Sequence, residues 1–171
     1  MGPVIVFALF VMSLTLQGSV LALAGPDGVH PDILLVIVVS LALLSDSKRG
    51  AMVGLAAGLL QDILFGAPLG FFAFTKTLIG ATAGLFADEI YKEFVLAPML
   101  LVVAFSVFSD VLTFSLMRFF TVSQPLSLIQ YVQQYSLIRV GLHFCIMGLI
   151  YPSLYRAQKR HLLFDSTEGM D

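Results

Sequence analysis

Residues 50–84 read GAMVGLAAGLLQDILFGAPLGFFAFTKTLIGATAG, and the fold is decided in this stretch. Gly50, Gly54 and Gly58 recur at intervals of four, so they stack on one helix face with Ala51 and Ala57 beside them. In water each glycine inside a helix costs about 1 kcal/mol against alanine. In hydrocarbon the same spacing lets two backbones approach closely, and packing is what holds such helices together. Asp62 lies one further step of four along that face. Gly66, Ala67, Pro68, Leu69 and Gly70 then break the helix, and a second apolar run follows with its own pair, Gly80 and Gly84. The stretch reads as a tight transmembrane hairpin. Its glycine face serves either to pack the two helices together or to accept a partner's helix.

The whole chain carries the same bias. Its 171 residues are 58% hydrophobic and 12% charged, with a mean hydropathy of +0.97. Soluble domains carry about 25% charged residues, so this composition is that of an integral membrane protein. The formal net charge of −2 gives no reason to expect a nucleic-acid partner. A single cysteine, Cys145, forms no internal disulfide and reads as a small core residue. No P-loop, Gly-x-Ser-x-Gly elbow, His-Glu-x-x-His or dinucleotide fingerprint is present. The sequence therefore points to no catalytic residue, no metal site and no cofactor, and to no known small-molecule ligand.

Six transmembrane helices in one all-α membrane domain are expected, over 3–24, 31–45, 47–64, 68–87, 94–120 and 135–155. Ala22-Leu23-Ala24 resembles a signal-peptidase site, but no Lys or Arg precedes the run and it is long for a signal peptide, so it reads as a retained helix. Pro31 and Asp32 open the second helix, where a proline and a carboxylate suit the first turn. That helix is short, and either sits deep or leans on its neighbours. Residues 121–134 read as a short helix lying in the interface. Lys48, Arg49, Lys92, Arg156, Lys159 and Arg160 fall on one side of this topology, which makes both termini cytoplasmic. Tyr91, Tyr131, Tyr135, Tyr151 and Tyr155 fall near the expected interfaces.

The topology also gives depths to the ionisable residues. Asp32, Asp62, Lys76, Asp110, Arg118, Arg139 and His143 all fall in the outer half or near the midplane. Three carboxylates match three cations. An unpaired charge at the bilayer centre costs at least about 2.5–3.5 kcal/mol, so pairing is expected, with Lys76 reaching Asp62 or Asp110. Arg139 and His143, four apart, share a face. The cluster reads as structural glue, a ligand or ion pocket, or a proton path.

Pro31 and Asp32 opening an apolar helix, then Gly50, Gly54, Gly58, Asp62, Pro68 and Gly70, then Gly80 and Gly84, together resemble the MreD family of bacterial rod shape-determining membrane proteins. The likeness covers nearly the whole chain and carries Pro31, Asp32, Gly54, Gly58, Asp62, Pro68 and Gly70 as motif positions. It implies a non-enzymatic component of the elongation machinery in the bacterial plasma (inner) membrane, a multi-pass protein surrounded by membrane lipid. The implied partners are MreC through its transmembrane helix, the elongation transpeptidase and glycosyltransferase, and indirectly the MreB filament. The family is also similar in architecture to the S-components of energy-coupling-factor vitamin transporters, which supplies an alternative function. Against that alternative, the Ala-x-x-x-Ala docking motif is missing, since Ala8 is followed four residues on by Met12, and tryptophan is absent. A scaffold or assembly factor for another complex is the third class.

Overall fold

The computed structural model describes residues 2–24, 31–65, 68–119, 137–160 and 162–164. Among them run six helices: α1 (Gly2–Ala24), α2 (Ile33–Leu43), α3 (Ser47–Phe65), α4 (Phe71–Leu85), α5 (Leu96–Phe119) and α6 (Leu137–Lys159). No strand occurs among the described residues. The interfacial helix expected over 121–134, with Tyr131 and Tyr135, lies outside them.

The bundle is built around α2. Its sequence, ILLVIVVSLAL, is apolar all round, and a helix of that kind must be enclosed on every side. Every residue from Leu34 to Leu43 is buried, with α1, α3, α4, α5 and α6 all packed against it. Its 11 residues reach only about 16 Å, short of the roughly 30 Å of a bilayer core. The expected span over 31–45 is therefore a buried central helix shorter than the membrane is thick. Three helical segments are long and apolar enough to cross alone: Gly2–Ser19, Leu96–Phe119 and Ile138–Lys159. Against the expected 68–87, α4 starts only at Phe71, because Pro68, Leu69 and Gly70 form the turn before it. Gly70 has φ 100°, a conformation that side chains disfavour.

The glycines fix how α3 meets α4. A Cβ added to Gly50 would fall on the backbone of Gly80, one on Gly54 on Lys76, one on Gly58 on Phe72 and Ala73, and one on Gly84 on Asp46 and Ser47. The two backbones touch along the whole hairpin, and Ser47 Oγ donates to the Ala81 carbonyl across it at 2.9 Å. The glycine face is thus occupied by α4, which leaves no room on it for a partner's helix.

The start of α1 meets the segment that follows α6. Gly2 lies against the backbone of Leu163, which is itself buried, and Gln158 and Phe164 hydrogen-bond each other to close the hook after α6. Tyr151 is fully buried, its hydroxyl donating to the Lys92 carbonyl in the turn before α5, so its ring faces the bundle. Cys145 is exposed on α6 and is not a core residue.

Replacing Gly54 with leucine should cost at least the roughly 1–3 kcal/mol typical of overpacking, because the obstacle is backbone. Gly141, with nothing within 4 Å of an added Cβ, should accept leucine without loss. Thermal melting of the two variants in detergent checks the contrast.

Candidate functional site

The turn between α3 and α4 solves a local problem first. The first N–H groups of a helix have no partner within it, and Gly70, at the N-cap of α4, has no side chain to offer. Asp62 supplies the acceptor from α3. Its carboxylate takes hydrogen bonds from the backbone N–H of Gly70 (2.9 Å), Phe72 (2.8 Å) and Ala73 (3.2 Å). The negative charge sits on the positive end of the α4 dipole. Asp62 is a helix cap and does not pair with Lys76.

Lys76 is five residues beyond the first residue of α4, hence about 7.5 Å along it. Its side chain is 1% exposed, and it pairs with Asp32, Nζ to Oδ2, at 2.5 Å. The sequence expectation of Asp62 or Asp110 as the counter-ion is corrected by this contact. Asp32 meanwhile caps α2, its Oδ1 accepting from Leu35 N–H at 2.9 Å. One carboxylate therefore serves as both cap and counter-ion. The Phe72 ring lies 5.9 Å from the ammonium, within range of a cation–π attraction.

The backbone N–H of Asp32 donates to His143 Nε2 at 2.7 Å. On the other side of that ring, Nδ1 lies 2.7 Å from Ser106 Oγ. The Ser106 hydroxyl donates its own proton to the Val102 carbonyl at 2.6 Å, so it can only accept from the histidine. These contacts fix the tautomer: His143 is neutral, with its proton on Nδ1. A chain of polar groups thus runs from Lys76 on α4 through Asp32 and His143 to Ser106 on α5.

Four residues along each helix, Asp110 of α5 meets Arg139 of α6, Oδ1 to Nη1, at 2.6 Å. Ser106–His143 and Asp110–Arg139 are successive rungs between antiparallel helices. The same face of α6 continues with Met147, whose sulfur accepts from the Ser40 hydroxyl at 3.0 Å, and with the buried Tyr151. Arg118 stands exposed near the end of α5. Pro31 immediately precedes the Asp32 cap, and Pro68 accepts from Phe71 N–H in the turn. Sequence reading missed Ser106 and Ser40. The four-residue spacing of Ser106 from Asp110, matching that of His143 from Arg139, was the available signal.

Among the described residues, no three His, Cys, Asp or Glu side chains gather as a metal site would require. A bundle of apolar helices whose inner charges answer one another is an α-helical membrane protein with a charge-paired interior. The chain belongs to the MreD family: the family model described as rod shape-determining protein MreD matches residues 1–160. It is a membrane protein of a shape-determining, structural family and not of a known enzyme family. No curated protein and no solved structure matches the chain. The architectural likeness to transporter S-components is therefore unsupported, and the vitamin-transport alternative is not favoured.

Removing one partner of a buried pair strands the other, at about 3–5 kcal/mol. Lys76→Met should therefore lower the melting temperature strongly, and adding Asp32→Asn, which keeps a capping side chain, should recover part of the loss. A double-mutant cycle measured by thermal melting checks this, and strict additivity would contradict the pairing. Separately, Asp62→Ala should cost more than an ordinary cap deletion of about 1 kcal/mol, because three N–H groups lose a charged acceptor at once.

Proposed function

We propose that the chain is a non-enzymatic membrane component of the bacterial rod complex, binding MreC within the membrane and helping couple MreB filaments to peptidoglycan synthesis. The match to the rod shape-determining family over residues 1–160 carries this reading. The polar groups of the bundle interior support it, since they are turned on one another: cap to helix end, ammonium to carboxylate, histidine to serine. That is what a rigid structural element needs. We assign Asp32, Lys76, Asp110, Arg139 and His143 to holding the bundle in one shape.

The partner's helix is received on an outer face, because α4 already fills the glycine face of α3. Large apolar side chains remain exposed for such contact, among them Leu100 and Phe108 on α5 and Leu142 and Leu149 on α6. Among the described residues, the turns at 44–46, 68–70 and 86–95 are what is offered outside the membrane to a partner such as the elongation transpeptidase or glycosyltransferase. The protein is read as multi-pass with both termini cytoplasmic. The contact between Gly2 and Leu163 supports placing both at one end of the bundle. Arg49 lies over Phe164 at the same end, and that concentration of positive residues favours the cytoplasmic side.

Depletion of the protein in its rod-shaped host should turn rods into spheres, and the wild-type chain should restore them, as scored by microscopy. Normal shape on depletion, with loss of vitamin uptake, would refute the role.

A further inference from the structure

α1 is held mainly by α2, through Val6, Phe10 and Leu14, and it does not close against α3. Between α1 and α3 runs an open groove of about 580 Å³. Its walls are apolar: Val6 and Phe7 on one side, Met52, Ala56, Leu59 and Ile63 on the other. From Arg49 to Ile63 the α3 wall covers 14 residue steps, a length of about 21 Å. Among the described residues Arg49 is the one charged residue of its lining, and it stands at the end where α3 begins. Its guanidinium is positioned there by Asp46, 3.4 Å away, and by the Phe164 ring, 5.8 Å from centroid to charge. Lys48 is exposed beside it, so this turn carries one more positive charge than negative.

We propose that this groove binds one acyl chain of an anionic phospholipid, with the headgroup phosphate at the Arg49 end. Size selects the occupant. At roughly 30 Å³ for a group the size of a water molecule or methylene, the groove holds a single chain of ordinary lipid length. Charge selects the headgroup. Basic residues at the cytoplasmic surface favour anionic lipid, and the groove has its cation at one end only, as an amphiphile with one charged head requires. The site rests on the membrane reading of the fold and is independent of the role in cell shape.

The test uses the purified full chain in mild detergent, stripped of lipid, with phosphatidylglycerol and phosphatidylcholine of identical acyl chains as probes. Phosphatidylglycerol should raise the melting temperature more than phosphatidylcholine, with about a fivefold preference in the concentration required. Arg49→Gln should remove that preference while leaving the response to phosphatidylcholine. Ala56→Phe, at an exposed groove position, should remove the response to both. Equal responses of the wild-type protein to the two lipids, or an undiminished preference in both variants, would overturn the site. If either variant does not fold, native mass spectrometry of the wild type decides: selective retention of phosphatidylglycerol upholds the proposal, and equal retention of the two lipids refutes it.

Discussion

Hydrocarbon offers no hydrogen-bonding partner, and this one constraint explains most of what the chain does with its polar residues. A donor or acceptor carried into the bundle is costly unless answered from within it, and the buried charges are so answered, whereas Gln61 Oε1 is buried without a hydrogen-bond partner. The start of α4 lies just past a glycine that cannot cap it, so a carboxylate from α3 reaches across the hairpin. The ammonium of Lys76 is nearly sealed from the surface and is answered by Asp32. The same demand reaches the histidine. With a backbone N–H on one ring nitrogen and a hydroxyl already committed elsewhere on the other, His143 has only one proton arrangement that satisfies all three groups.

Close backbone contact and charge pairing are linked through a single residue. The carbonyl that crowds Gly54 belongs to Lys76. The depth at which α4 sinks into α3 therefore decides where the ammonium stands, and with it whether the carboxylate at the start of α2 can be reached. A methyl group on Gly54 would displace a charge as well as a helix. This gives a physical reason for small residues along that face beyond tight packing.

The hairpin was legible because its signals are local. Glycines at intervals of four define a face whatever the rest of the chain does, and the break around Pro68 and Gly70 says where the face turns back. The capping of α2 by Asp32 was legible for the same reason, as a carboxylate beside Pro31 at the start of an apolar run. The counter-ion of Lys76 was not. Asp62 and Asp110 looked equally near because helical spacing gives depth in the membrane but not the order of helices around the bundle. That order is set by α2, which is too short to be an ordinary span and too apolar to sit anywhere but the middle. Tyr151 shows the same limit. Its place along the chain suits an interface, yet its side faces the centre of the bundle.

The ion pairs divide the molecule in a way that bears on how it is made. Asp32 and Lys76 belong to the first half of the chain, Asp110 and Arg139 to the second. A ribosome releases the amino-terminal half first, and domains tend to fold in that order. Among the first four helices the Lys76 ammonium can thus be paired before the last two emerge, and the last two carry the Asp110–Arg139 pair with them. Neither half waits in lipid with a bare charge. The bond from the Asp32 amide to His143 then joins two pieces whose buried ion pairs are each already made.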